Sequence, residues 1–203
     1  MLNSLPRAYL VRHGETAWSL SGQHTGRTDL PLTPQGEPNA RRLGERLAGI
    51  HFERVFTSPL SRARRTCELA GFGSSAVVDS DLLEWDYGAY EGKTRAEICR
   101  GHPGWEVFRD GCPGGESLAQ VVVRADCVIT RLRAIGRDTL VFSSGHLLRV
   151  LAVRWLGIDG AMGRYLLLDP AGISVLGYQR ELAEPVIRLW NDRRHLHDAR
   201  GVE

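Results

Sequence analysis

Four apolar runs in this chain end in residues suited to acid–base or anion chemistry. Arg12-His13-Gly14-Glu15-Thr16 follows Ala8 to Val11. Thr57-Ser58-Pro59-Leu60-Ser61-Arg62 closes the run that starts at Arg54. Asp81-Leu82-Leu83-Glu84 follows Val77-Val78, and Ser143-Ser144-Gly145-His146 follows Asp138 to Phe142. Each residue alone has a bland reading: an exposed arginine, a core histidine, a solvated glutamate. Together, two arginines, two histidines and a glutamate suit phosphoryl transfer to a histidine. A neutral imidazole attacks phosphorus, and water then hydrolyses the phosphohistidine. Arg12 and Arg62 can grip phosphate oxygens and stabilise the transition-state charge. Glu84 can protonate the leaving oxygen and then activate water. Gly14 would let the backbone approach the phosphate. With two guanidiniums to neutralise phosphate, the chemistry calls for no metal and no cofactor.

These groups converge only if the runs are strands of one sheet, because open α/β sheets bind ligands beyond their strands' carboxyl ends. Helix signals lie between the runs. Thr33-Pro34-Gln35-Gly36-Glu37 has a cap residue, a first-turn proline and a first-turn acid. Ser61 to Ala70, Thr94 to Arg100 and Leu147 to Leu156 read as helices. Ser117 to Ile135 is the longest, with Leu118, Val121, Val122, Ala125, Ile129 and Leu132 at helical spacing. Ile173 to Tyr178 and Pro185 to Trp190 stand at hairpin spacing. The alternation predicts an α/β fold: a three-layer sandwich with a mostly parallel mixed sheet flanked by helices. One domain is expected over residues 1–203, with 191–203 a loose tail. The Gly- and Pro-rich stretch 101–115 is expected to be a loop over the site.

The 203 residues carry a net charge of +2, which gives no global case for nucleic-acid binding. Lys93 is the only lysine, so the positive charge is nearly all arginine. The run Arg62-Ala63-Arg64-Arg65 spans about one helical turn, so its charges fan out, and solvated faces are expected apart from Arg62. No apolar run approaches the ~20 residues of a membrane span. Cys67, Cys99, Cys112 and Cys127 form no C-x-x-C pair and read as reduced thiols. A cytoplasmic location is expected. No metal site is expected at His195 and His197.

Leu10-Val11-Arg12-His13-Gly14-Glu15-Thr16 resembles the signature of the histidine phosphatase superfamily, which includes cofactor-dependent phosphoglycerate mutase. The likeness extends through Gly22 to Thr33, Thr57 to Thr66, Glu84 to Gly92, Gly115-Glu116-Ser117 and Gly145 to Arg149. It implies a phosphoglycerate mutase-like fold. It also implies that His13 is the nucleophile, Arg12 and Arg62 bind phosphate, Glu84 is the proton donor, and Thr25 and Gly26 form a substrate-contacting turn. The short span from Glu91 to Leu140 resembles the phosphatase branch, and within it small-sugar phosphatases. Trp105 and Phe108 then read either as pocket walls or as plain core, with Arg109 a candidate for a second phosphate.

One departure stands out. The family pattern after the fourth strand is histidine, glycine, then an arginine five positions after the histidine. Here Arg149 puts Ser144 in register with that histidine, and His146 lies two positions later. Either His146 swings in as the catalytic partner, or a serine hydroxyl serves in place of a cationic imidazole. The expected activity is a metal-independent phosphomonoesterase acting on small, sugar-like phosphates. The alternatives are a mutase-type phosphotransferase and a low-activity phospho-ligand binding protein. The expected partner is a small phosphorylated metabolite, with no nucleic acid and no membrane; a homodimer is compatible with the sequence.

Overall fold

The computed structural model describes residues 5–196. The chain runs β1 (Ala8–Arg12), α1 (Ala17–Ser21), α2 (Gly36–Leu47), β2 (Arg54–Thr57), α3 (Ser61–Leu69) and β3 (Ala76–Val78). It continues through α4 (Arg95–Gly101), α5 (Val107–Asp110), α6 (Leu118–Ile135), β4 (Thr139–Ser143), α7 (Gly145–Trp155), β5 (Ile173–Tyr178) and β6 (Pro185–Asp192). The six strands form one sheet in the order β3-β2-β4-β1-β5-β6. β1, β2, β3 and β4 pair in parallel, while β5 runs antiparallel to both β1 and β6.

The core explains the layers. Side chains alternate faces along a strand. Ala8 and Leu10 of β1 join the apolar cluster of α6 and α7, with Val121, Ala125, Leu148 and Leu151. Tyr9 and Val11 face the other way, onto Leu43 and Leu47 of α2 and Cys67 of α3. A central strand covered on both faces must be apolar throughout, and β1 is.

Register delivers the site. Arg12 pairs with Ser143 and Val11 with Phe142, while Thr57 pairs with Phe142 on the other side of β4. The carboxyl ends of β1, β2 and β4 therefore finish level. An Arg7–Asp138 ion pair, with Nη2 to Oδ2 at 2.6 Å, pins the opposite end of the β1–β4 pair.

Boundaries differ from the sequence reading at three places. α2 starts at Gly36, not at Pro34. Thr33 turns its hydroxyl to the Glu15 carboxylate while accepting the Gly36 amide, so residues 33–35 form a turn before the helix. The stretch 101–115 is partly ordered as α5 and buries Trp105 and Phe108. The expected loose tail begins too early: β6 extends to Asp192, which is buried and accepts from Arg194 and Arg46. The rest of that tail, 197–203, including His197, lies outside the described residues. Elsewhere α6 follows the sequence signals, with Ser117 accepting the Gln120 amide and Gly136 closing the helix at φ 63°.

Candidate active site

Arg12 ends β1 and is placed by the strand itself. Its Nη1 donates to the Leu168 carbonyl, and its Nε is buried with no partner. His13 follows, 4% exposed. Its Nδ1 lies 2.8 Å from the Gly14 carbonyl, so Nδ1 carries the proton and Nε2 keeps its lone pair. Burial, then Arg62 and Arg12, push the His13 pKa well below its ordinary value. The imidazole is neutral, which is the state a nucleophile needs. The Gly14 amide donates to Thr66, and a Cβ there would lie 3.1 Å from the Gly36 carbonyl, so close packing also requires glycine.

Arg62, in the first turn of α3, is fully buried. Its Nη1 donates to Thr28 O, and its Nη2 to Thr25 O and Gly26 O, at 2.9–3.0 Å. Thr25 and Gly26 thus hold Arg62 through their carbonyls, and Thr25 also lines the cleft. Glu91 fixes this loop by accepting the Gly26 and Thr28 amides. A Cβ on Gly26 would fall 2.5 Å from the Trp85 carbonyl, so only glycine fits. Arg64 and Arg65 are exposed, as the helical spacing predicts.

Glu84 is 4% exposed and lines the cleft. Its Oε1 accepts the amides of Trp85 and Leu147, and its Oε2 the amide of His146, each at 2.9 Å. The last two are the first-turn amides of α7, so the carboxylate caps that helix. Ser144 sits at the N-cap position, fully buried, with Oγ unpartnered.

His146 lines the cleft from the first turn of α7. Its Nδ1 is 2.6 Å from the Tyr87 hydroxyl. Burial raises the Tyr87 pKa well above its ordinary value, so the phenol stays protonated and donates. The His146 pKa is pushed well down by burial and then by Arg149, His24 and Arg12, so this ring is neutral too. It stacks on His24 with ring centroids 6.2 Å apart and 16° between planes.

The structure thus brings Arg12, His13, Glu84, His146 and Thr25 to one cleft. Arg62, Gly26 and Ser144 are not among its lining residues; each is buried and adjoins one by hydrogen bond or along the chain. One open choice closes and one candidate needs correction. Trp105 and Phe108 are core, packed behind His24 and His146. Arg109 is paired with Asp110 and the Gly104 carbonyl, away from the cleft. Arg149 lines the cleft instead, its guanidinium 4.8 Å above the Phe108 ring and bonded to the Gly163 and Arg164 carbonyls.

Arg12, Arg62 and Arg149 share one trait: their hydrogen bonds go to backbone carbonyls. A carbonyl holds a guanidinium in place without cancelling its charge. Burial lowers the pKa of all three, and Glu84 pulls each back up. The cleft is therefore lined by two oriented cations, Arg12 and Arg149, and one carboxylate, Glu84, with Arg62 buried beside it. Among the described residues, no three His, Cys, Asp or Glu side chains group to hold a metal ion.

A histidine under the influence of two guanidiniums, and a buried carboxylate, lie in the part of the chain that one family's sequence pattern covers. That pattern, of the histidine phosphatase superfamily (branch 1), matches residues 8–193. This chain belongs to that superfamily. It is similar to an acid phosphatase of Mycobacterium tuberculosis, 40% identical over 184 residues, covering 87% of this chain and 90% of the relative. It is also 40% identical over 185 residues to a sedoheptulose 1,7-bisphosphatase of Saccharomyces cerevisiae, covering 75% of this chain and 68% of the relative. The solved structure of an open reading frame from Mycobacterium tuberculosis matches with a TM-score of 0.86 at 37% identity, covering 92% of this chain and 97% of the other. The chain is a phosphatase with the phosphoglycerate mutase-like fold expected from its sequence.

In this histidine phosphatase, His24 was the residue the sequence reading passed over. Its Nδ1 donates to the Lys93 carbonyl at 2.8 Å, and it stands between Tyr87 and Trp105. It lies within the Gly22 to Thr33 segment of the family likeness, beside Thr25, and that adjacency was the available signal. Among the described residues of the phosphatase, no helix is long and apolar enough to cross a membrane.

Proposed function

We propose that this phosphatase hydrolyses small sugar phosphates through a phosphohistidine on His13, without a metal ion. The observation that carries this reading is the Nδ1–Gly14 contact. It leaves a neutral Nε2 lone pair flanked by two guanidiniums. Nε2 attacks phosphorus and the ester P–O bond breaks. Arg12 and Arg62 stabilise the charge on the equatorial oxygens. Glu84 gives its proton to the departing alkoxide. Its Oε1 already accepts two amides and its Oε2 one, so Oε2 has the spare capacity to carry that proton. Water then attacks the phosphohistidine while the Glu84 carboxylate takes its proton, which restores the enzyme.

Arg149 supports the sugar-phosphate class. It lines the cleft as a cation beyond Arg12 and the buried Arg62, the two that would serve the reacting phosphate, and suits a second anionic group on the same substrate. The bisphosphatase relative is consistent with that. A carboxylate would suit Arg149 as well, which keeps a mutase-type transfer on phosphoglycerate as the second reading. His146, neutral and bonded to Tyr87, is placed to donate Nε2–H to the substrate and not to supply a cation. The free partner is thus a small phosphorylated metabolite.

The test is a panel of sugar mono- and bisphosphates and 3-phosphoglycerate, with chelator present and products identified. Release of inorganic phosphate from sugar phosphates, and an acid-labile phosphoenzyme that is lost in His13→Ala, is the expected result. Dependence on added magnesium, or turnover that survives His13→Ala, would overturn the mechanism.

A further inference from the structure

Thr66 is fully buried in α3, about one helical turn after Arg62. Its hydroxyl lies 2.6 Å from the Arg62 carbonyl and 2.9 Å from the Gly14 amide nitrogen. A hydroxyl has one proton to give and two lone pairs to receive with. A carbonyl only accepts and an amide N–H only donates, so the roles are settled: Thr66 donates to Arg62 O and accepts from Gly14 N–H. A helical threonine that bonds back to the carbonyl four residues earlier is ordinary. The second bond is not, because it leaves the helix and reaches 52 residues back to the turn after β1.

Gly14 is the residue on which that bond acts. Its carbonyl is the group that accepts Nδ1–H of His13, at 2.8 Å. Gly14 itself is buried, with Gly36 O and the Leu32 side chain at 3.1 and 3.2 Å from where a Cβ would stand. A buried amide without an acceptor is costly, and a glycine turns readily about its own backbone bonds to relieve such a cost. The Thr66 hydroxyl takes that freedom away. A continuous series then runs from Arg62 O through Thr66 Oγ1 to Gly14 N, and from Gly14 O to His13 Nδ1. At the far end of Arg62, its guanidinium holds the carbonyls of Thr25, Gly26 and Thr28.

We propose that Thr66 is a positioning residue: its hydroxyl fixes the Gly14 backbone so that His13 keeps its proton on Nδ1 and its lone pair on Nε2, in a set relation to Arg62. Thr66 does not line the cleft and touches no substrate; it acts through Gly14. Its effect on rate rests on the reading of His13 as the nucleophile. Its effect on the tautomer of the ring does not.

The test compares wild type, Thr66→Val, which matches threonine in shape but has no hydroxyl, and Thr66→Ser, which keeps one. Two readouts are taken on each. The first is the tautomer of His13, from nitrogen–proton correlation spectra of histidine-labelled protein, with His13→Asn to assign the signal. The second is kcat and KM on an aryl phosphate. The expected result is a single Nδ1–H tautomer in wild type and a mixture of tautomers in Thr66→Val. There kcat falls by up to about 10²-fold with KM nearly unchanged, and Thr66→Ser recovers both readouts. If valine disturbs folding, Thr66→Cys takes its place, being close in size and a weak acceptor. An Nε2–H tautomer in wild type would overturn the proposal without any variant. So would an undisturbed tautomer in the hydroxyl-free variant, undiminished kcat there while His13→Asn is inactive, or a folded Thr66→Ser protein that recovers neither readout. Turnover that persists in His13→Asn, while the tautomer still depends on Thr66, would leave the brace standing and remove the nucleophile instead.

Discussion

The Oε2 of Glu84 accepts the backbone amide of His146 at 2.9 Å, so the carboxylate proposed as proton donor is also the cap of α7. In the proposed mechanism, catalysis and helix anchoring share one carboxylate. Glu84→Gln keeps the shape but presents an NH2 group where an acceptor is needed. The expected outcome is turnover slowed by about 10²–10⁴, with greater loss for poor leaving groups than for good ones. Loss of the cap should also cost about 1 kcal/mol. That corresponds to about 2–4 °C of thermal midpoint in a protein this size. Equal slowing across leaving groups would reduce Glu84 to its capping role.

His13 adds a pH-dependent term to stability. Its folded pKa lies well below the ordinary 6.5, because of burial first and then Arg62 and Arg12. Between the folded value and about 6.5, the unfolded chain binds a proton that the folded chain refuses. This contribution is therefore fully present above about pH 6.5 and is lost as pH falls. Denaturant midpoints measured from pH 7.5 to 5 should show stability dropping. His13→Asn should flatten that slope by up to about 1.4 kcal/mol per pH unit. An unchanged slope would mean that His13 is protonated in the fold.

Ser144→His puts an imidazole at the end of β4, where the family carries one. If the position lacks a charge-stabilising donor of full strength, kcat should rise, by up to about 10²-fold. His146→Ala should cost less than His13→Ala, because the proposed mechanism makes His146 a neutral donor braced by Tyr87 and puts the covalent bond on His13. Steady-state kinetics on the three variants decides. No gain from Ser144→His, together with abolished turnover in His146→Ala, would assign the catalytic role to His146.

Arg149→Met should raise KM about tenfold or more for substrates with a second anionic group and leave a simple aryl phosphate nearly unaffected. The stated magnitude is that of one charged hydrogen bond. Parallel losses on both substrates would show that Arg149 acts through the Gly163 and Arg164 carbonyls it holds, by shaping the cleft wall.

Arg12, His13, Arg62 and Glu84 were legible in the sequence because each lies at or just beyond the end of a strand, where local pattern fixes position. The strands themselves were legible for the same reason, to within a residue or two. His24 was not, because it reaches the cleft only through a loop held by Glu91 and by the Lys93 carbonyl, contacts of long sequence separation. Arg109 and Arg149 were indistinguishable by type. A neighbouring Asp110 neutralises one, while two carbonyls leave the other charged. Trp105 and Phe108 were open between wall and core until the packing of His24 and His146 over them was seen. α1 escaped notice because its five residues bury nothing, so no apolar stripe marks it.

The order of the strands has a further consequence for how this molecule comes into being. β1 pairs only with β4 and β5, and 131 residues separate Arg7 from the Asp138 that pins it. At the ribosome, elongating at about 5–20 residues per second, the first strand therefore waits on the order of ten seconds for its neighbours. Until then Arg12 and His13 are two side chains on an unpaired segment. The proposed nucleophile is the earliest part of the site to be translated and among the last to be enclosed, so truncated nascent chains should carry no phosphate-binding activity at all.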